Sequence, residues 1–191
     1  LTFIIAGFGS VAIAAYGVGT QIFTMIIIPA MGFMMATSTI VGQNIGAGKF
    51  DRAEKTGKRS AQISAMGLVV ASFLIYFFGE NLAGFLVPNE PETTMMAAEF
   101  LKILSFGFAF LGIQQSFAGA VNGAGKTKWS MMVTVFFLWI FQIPFAYILS
   151  HYTSLGEKGF WLSFPIVNIL GAVTMYFVFK KVKWSEAQIH H

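Results

Sequence analysis

Five stretches of this chain, residues 1–48, 60–79, 103–125, 129–156 and 159–179, contain no Asp, Glu, Lys or Arg. They run for 48, 20, 23, 28 and 21 residues and together take up 140 of the 191. About 20 apolar residues in a helix cross the hydrocarbon core of a bilayer. A backbone in lipid must satisfy its own hydrogen bonds, which a helix does within one segment. The spacing therefore predicts an all-α, polytopic membrane helix bundle. Charged residues make up 10% of the chain, against about 25% in a soluble domain. A soluble enzyme, a nucleic-acid-binding domain and a disordered tail are excluded on these grounds. Cysteine is absent, which removes disulfides and thiolate metal sites.

The first run is too long for one span, since its 48 residues would make a helix of about 72 Å. A break is predicted at Gly7-Phe8-Gly9-Ser10, leaving residues 1–7 as the tail of an earlier helix. The opening Leu1-Thr2-Phe3 has no initiator Met and no basic leader, and reads as the continuation of something longer. A long helix over roughly 12–43 follows, with Pro29 and Gly32 expected to kink it. Asp51-Arg52-Ala53-Glu54 fits a capping box with Asp51 as the N-cap, so a second helix should run from near Arg52 to Phe78. Residues 80–92, with Glu80, Pro88, Glu90, Pro91 and Glu92, read as an acidic, turn-rich connection. A third helix is expected from Thr93 to Val121, closed by Asn122-Gly123-Ala124-Gly125. A fourth covers about 128–150 with Pro144 inside, and a fifth about 160–182. The count is five full transmembrane helices plus the tail of a preceding one. The terminal His190-His191 is compatible with the stub of an affinity tag.

Five spans put alternate loops on alternate faces. Residues 49–59, 126–128 and the tail 180–191 share one face, with ten basic and three acidic residues. Residues 80–102 and 157–158 share the other, with two basic and five acidic. The excess of positive charge marks the first face, and with it the C-terminus, as cytoplasmic in a multi-pass protein of the cell membrane. The net charge of +4 thus speaks to orientation and not to nucleic acid. Asn44-Ile45-Gly46-Ala47-Gly48-Lys49 returns, one residue shorter, as Asn122-Gly123-Ala124-Gly125-Lys126. The echo is either the trace of a repeat or a helix stop that happens to suit a positive loop.

Two motifs fail on context. Gly7-Phe8-Gly9-Ser10-Val11-Ala12 has no strand before it and no acid about 20 residues on, as a dinucleotide site needs. The stretch from Ala120 to Gly125-Lys126-Thr127 closes a helix, whereas a phosphate loop opens one. The three histidines have no metal-ligand spacing, and no ionisable pair inside a span offers catalysis, so neither an enzyme nor a cofactor is expected. What the spans do hold is uncharged polarity: Gln21 and Thr24 in the first, Gln114 and Gln115 in the third, Gln142 in the fourth and Asn168 in the fifth. Singly, each reads as interhelical glue; as a set they point to a wetted substrate cavity. Gly17, Gln21, Thr24, Ile28 and Met35 recur on one helix face, as do Gly107, Leu111, Gln114 and Ala118. Gly42, Gly46, Gly119 and Gly123 suit close helix packing.

Gly42-Gln43-Asn44-Ile45-Gly46-Ala47-Gly48-Lys49-Phe50-Asp51-Arg52-Ala53 resembles the cytoplasmic-loop signature of the multidrug and toxic compound extrusion (MATE) family. Ala14-Ala15-Tyr16-Gly17 and Pro29-Ala30-Met31-Gly32 resemble the helix before that loop, and Val121 to Lys126 the second glycine-rich loop. Ile143-Pro144-Phe145-Ala146-Tyr147 and Gly159-Phe160-Trp161 resemble the last two helices. The resemblance implies one six-helix lobe, the C-terminal one, of a twelve-helix transporter whose N-terminal lobe is missing. It further implies export of small cationic or amphipathic compounds, driven by inward H+ or Na+. No acid lies between Ser60 and Gly79 or between Ile103 and Gly125, which resembles the branch whose coupling carboxylate sits in the N-terminal lobe. A lipid-linked saccharide flippase of the same superfamily and a non-transporting membrane scaffold are the alternatives. The flippase should carry Arg or Lys along its cavity, and none lies between the loops.

Overall fold

The computed structural model describes residues 1–182 and Trp184, and among these every element is helical. A short helix α1 (Thr2–Ile5) and one 3-10 turn (Ala6–Phe8) lead to Gly9, whose φ of 99° ends the segment and starts the next. The chain thus breaks where the two glycines predicted it. Helix α2 (Ser10–Gly46) then runs unbroken for 37 residues through Pro29 and Gly32. Helix α3 (Phe50–Leu86) is equally long. It begins two residues before the expected start: Lys49 is the N-cap and Asp51 lies inside the first turn. There its charge still favours the positive helix end, while Glu54 turns to Lys58 instead, at 2.6 Å. Its far end passes Glu80 and stops only before Pro88, so the connection to the next helix shrinks to residues 87–90.

The expected third helix is two. Helices α4 (Pro91–Ser105) and α5 (Phe108–Gly123) meet at an angle of 51°. The cause lies on another helix. A Cβ at Gly107 would stand 2.8 Å from the Cα of Pro165, so the chain bends where it crosses α8 at backbone contact. Helix α6 (Thr127–Val135), a π-turn (Phe136–Phe141) and α7 (Gln142–His151) form the next span. Pro144 explains the π-turn, because its ring would collide with the carbonyl of Ile140 in a regular helix. The widened turn moves that carbonyl aside. Helix α8 (Glu157–Lys181) completes the bundle. Four spans are long and apolar enough to cross a membrane, and the bent pair α4–α5 makes a fifth. His190-His191 lies outside the described residues.

Glycine positions set the packing. Gly119 faces the carbonyl of Met34, and Gly123 that of Ser38, so α2 and α5 run parallel with their backbones in contact. A Cβ at Gly42 would stand 3.5 Å from the Gly123 carbonyl, an ordinary contact, whereas nothing lies within 4 Å of one at Gly46. The two helices also stop alike. Lys49 N–H donates to the Asn44 carbonyl at 2.8 Å and Lys126 N–H to that of Val121 at 3.1 Å, with Gly48 and Gly125 at positive φ. This is the same Schellman cap twice. Its register corrects the echo read from the sequence: Gly42-Gln43-Asn44-Ile45-Gly46-Ala47-Gly48-Lys49 matches Gly119-Ala120-Val121-Asn122-Gly123-Ala124-Gly125-Lys126 without a gap.

Helix α3 is held by hydroxyls. Ser64 Oγ shares a hydrogen bond with Ser116 Oγ at 2.8 Å and donates to the Gly112 carbonyl at 3.0 Å. Ser60 reaches Ser116 at 3.3 Å and also pairs with Thr37, so α2, α3 and α5 share one buried chain of hydroxyls. Lower down, Ser72 donates to the Ser105 carbonyl at 2.8 Å. Ser64 and Ser72 also have a carbonyl of their own helix within reach, so each cross-helix bond adds about 1 kcal/mol at most. At the opposite end from the glycine caps, Lys158 pairs with Glu99 at 2.6 Å and Phe8 meets the His151 ring edge-on at 5.6 Å. The turns 47–49 and 124–126 therefore share one end, and 87–90 and 152–156 the other, as the alternation of spans requires.

Candidate functional site

On α2 the predicted face is free. Gly17, Gln21, Thr24, Ile28 and Met35 are all exposed, while Ala12, Ala15, Val18, Ile22 and Ala30 on the reverse side are buried. Ile28 and Met35 are each 65% exposed, although both lie in the middle of a bundle helix. The polarity of this face is less than its composition suggests. Thr24 Oγ1 donates to the Thr20 carbonyl at 2.8 Å, and Thr39 to that of Met35 at 3.0 Å. These threonines are satisfied within their own helix. Gln21 is the one amide on the face between Gly17 and Met35, and a glutamine side chain carries two donors and an acceptor.

The second predicted face divides. Gly107, Leu111 and Ala118 are buried in the bundle and Gln114 is half-buried. Its amide lies flat on Gly171 of α8, so close that a Cβ there would come within 2.7 Å of Nε2. One turn earlier on α8, Asn168 reaches the other end of the same seam, with Nδ2 3.1 Å from where a Gly107 Cβ would stand. Gln114 and Asn168 thus line one α5–α8 seam, each over a glycine. Gln115 is half-buried on α5. Gln142 is 4% exposed and is the first residue after the π-turn, where the widened turn resets the direction of every later side chain. The six residues do not meet in one pocket. They form an exposed strip on α2 and an inner set on α5, α7 and α8.

Several motif residues act through packing. Tyr16 stacks on Trp161 with ring centres 6.2 Å apart, and Phe100 lies 4.3 Å from the same indole. Gly19 makes room for Phe100, and Gly159 for the Leu149 carbonyl. Residues 145 positions apart therefore build one aromatic nest at the end of the bundle away from the glycine caps. The serines whose hydroxyls bond across helices, Ser60, Ser64 and Ser72, were not singled out in the sequence. Their signal is present as small residues at helical spacing, Ala53, Gly57, Ser60, Ser64, along one side of α3.

The MatE family model matches residues 1–148. A probable multidrug resistance protein, YoeA of Bacillus subtilis, is 29% identical over 95% of this chain and 39% of its own length. An FAD transporter of Shewanella oneidensis is 27% identical over 90% of the chain and 37% of its own length. A variant of the Vibrio cholerae MATE transporter VcmN superposes with a TM-score of 0.88 at 20% identity, over 96% of this chain and 42% of that one. The chain thus spans about two fifths of the length of the relatives it matches.

Proposed function

This chain belongs to the MatE family, and from that premise we propose that it is the C-terminal lobe of a secondary active multidrug exporter. The exposed strip Gly17–Met35 on α2 supports this reading: a mid-helix face of mixed character, with Gln21 among apolar side chains and no cover among the described residues, is the surface a second lobe would close over. Inward flow of H+ or Na+ drives the export of small cationic or amphipathic compounds, and the lobe supplies cavity wall to an alternating-access pair. Gln21 and Gln114 contact substrate, with Thr24, Gln115, Gln142 and Asn168 lining the path. The test is expression of the complete transporter in a host stripped of its own exporters. Tolerance of a cationic dye such as ethidium should rise several-fold, and efflux should stop when the ion gradients are collapsed. Correctly inserted protein that shifts tolerance to no cationic compound would refute the reading.

The FAD-transporting relative suggests a flavin nucleotide as the alternative cargo. An anionic pyrophosphate crossing a low-dielectric path calls for cations along it, and no Lys or Arg lies within 1–48, 103–125 or 159–179. That favours cationic and amphipathic cargo.

The basic loops orient the lobe with residues 49–59 and 126–128 in the cytoplasm. The native chain has no cysteine, so a Thr56→Cys variant in an otherwise cysteine-free transporter reports one site. It should react with a membrane-impermeant maleimide only after the cells are opened. Labelling in intact cells would invert the topology.

Coupling belongs to the absent lobe. A carboxylate that senses the ion must be buried enough to have a usefully shifted pKa. Here Asp51, Glu54, Glu90, Glu92 and Glu157 stand in a turn or near the start of a helix, Glu80 is exposed within the last two turns of α3, and Glu99, midway along the short α4, is partly exposed and already paired with Lys158. Glu80→Gln, Glu99→Gln and Glu157→Gln, each in the complete transporter, should leave gradient-driven efflux within about two-fold of the unmodified protein, as surface substitutions do. Loss of coupling from any one of them, at normal expression, would move the ion site into this lobe.

A further inference from the structure

Where α6 begins and α8 ends, Lys126, Trp129, Thr174, Phe177, Val178 and Lys181 line a cavity of about 490 Å³. Its size suits a small-molecule site, but its make-up is that of an amphiphile's. Two ammonium groups stand at the end of the bundle that carries the glycine caps, and below them the walls are aromatic and aliphatic. None of the described residues that line it is acidic; among the described residues the two ion pairs formed by lysines involve Lys58 and Lys158 instead. Trp129 is 57% exposed at the rim, the level at which indoles anchor in a membrane interface. Phe177 separates this cavity from a second groove of about 660 Å³ between α3, α5 and α8, which is lined by Ala61, Ala65, Ile113 and Tyr176. Lys58 lines that groove too, and Lys180 lies over the Tyr176 ring with Nζ 4.9 Å from its centre.

We propose that this end of α8 is a binding site for an anionic phospholipid. The phosphate sits between Lys126 and Lys181, and the two acyl chains descend on either side of Phe177. Basic pockets between helices on the cytoplasmic side hold anionic headgroups in this way. The apolar walls select a lipid over a free anion, because inorganic phosphate would meet the same lysines and leave the walls uncovered. None of these residues belongs to the proposed substrate path.

The test uses the complete transporter in mixed phosphatidylglycerol and phosphatidylcholine, with the retained lipid identified by native mass spectrometry. The unmodified protein should keep phosphatidylglycerol in preference to phosphatidylcholine. A Lys126→Gln, Lys181→Gln double variant should lose that preference by about 30-fold, equivalent to about 2 kcal/mol at about 1 kcal/mol per basic side chain. Lys102→Gln, at the other end of the bundle, should leave it unchanged. Thr174→Trp keeps both lysines but fills the cavity, and should also expel the lipid; the smaller Thr174→Phe serves if the indole impairs folding. Equal retention by the double variant would overturn the proposal. So would full retention with the cavity filled, which would reduce the effect to surface charge. Displacement of the lipid by millimolar inorganic phosphate would likewise replace the lipid site with a free-anion site.

Discussion

Gly119→Ala should lower the melting midpoint of the detergent-solubilised transporter by several degrees, and Gly119→Val should leave almost no monodisperse protein. The expectation rests on what stands opposite. A single Cβ at this position meets the carbonyl and Cα of Met34. Overfilling a core costs about 1–3 kcal/mol when side chains can shift, but here the obstacle is backbone, so α2 itself must move. That motion would also pull Thr37 away from Ser60 and, through it, from Ser116. Gly67→Ala is the control. Nothing lies within 4 Å of a Cβ there, and alanine is the better helix former by about 1 kcal/mol. Fluorescence-detected size-exclusion melts of the three variants would decide the point. Equal midpoints for Gly119→Ala and Gly67→Ala would mean that α2 and α5 do not touch as described.

The second large effect concerns cargo preference. In the complete transporter, Gln21→Leu should change the ratio of tolerance between two cationic compounds about five-fold, the equivalent of one hydrogen bond of about 1 kcal/mol. Folding should survive, because Gln21 is exposed and anchors nothing in this lobe. Gln114→Leu should also shift the ratio, but with some loss of stability, since its amide is packed on Gly171. Met66→Leu, exposed on α3 and away from the strip on α2, supplies the baseline. If both glutamine variants give the resistance profile of that baseline, neither amide touches substrate.

Much of this architecture was legible because membrane burial writes itself as missing charge. The five spans, the break at Gly7–Ser10 and the alternation of ends all follow from where Lys, Arg, Asp and Glu do not occur. The bend between α4 and α5 was hidden because its cause is tertiary: Phe106-Gly107 is an unremarkable helical dipeptide until Pro165 is laid across it. The Asp51 cap failed because α2 ends just before it, at Gly46, and the next helix starts at once from Lys49, leaving Asp51 inside the first turn where its charge still meets the positive helix end. The candidate site was half legible. Spacing alone put Gln21 and Thr24 on one face, but spacing cannot say that Thr24 turns its hydroxyl back to Thr20. Nor could it show that a glycine lies under Gln114.

The parallel contact between α2 and α5 has a mechanical consequence. Helices packed through side chains can creep past one another, because rotamers yield in small steps. Here the glycines act as a key in a slot. If α5 slid by one turn, about 6 Å for four residues, Gln115 would arrive where Gly119 now meets the Met34 carbonyl. A slip the other way would bring Gly123 there and carry the Schellman cap into the bundle. Shear between these two rods is therefore forbidden in both directions. A displacement of α2 along its axis carries α5 with it, down to the capped end at Gly123.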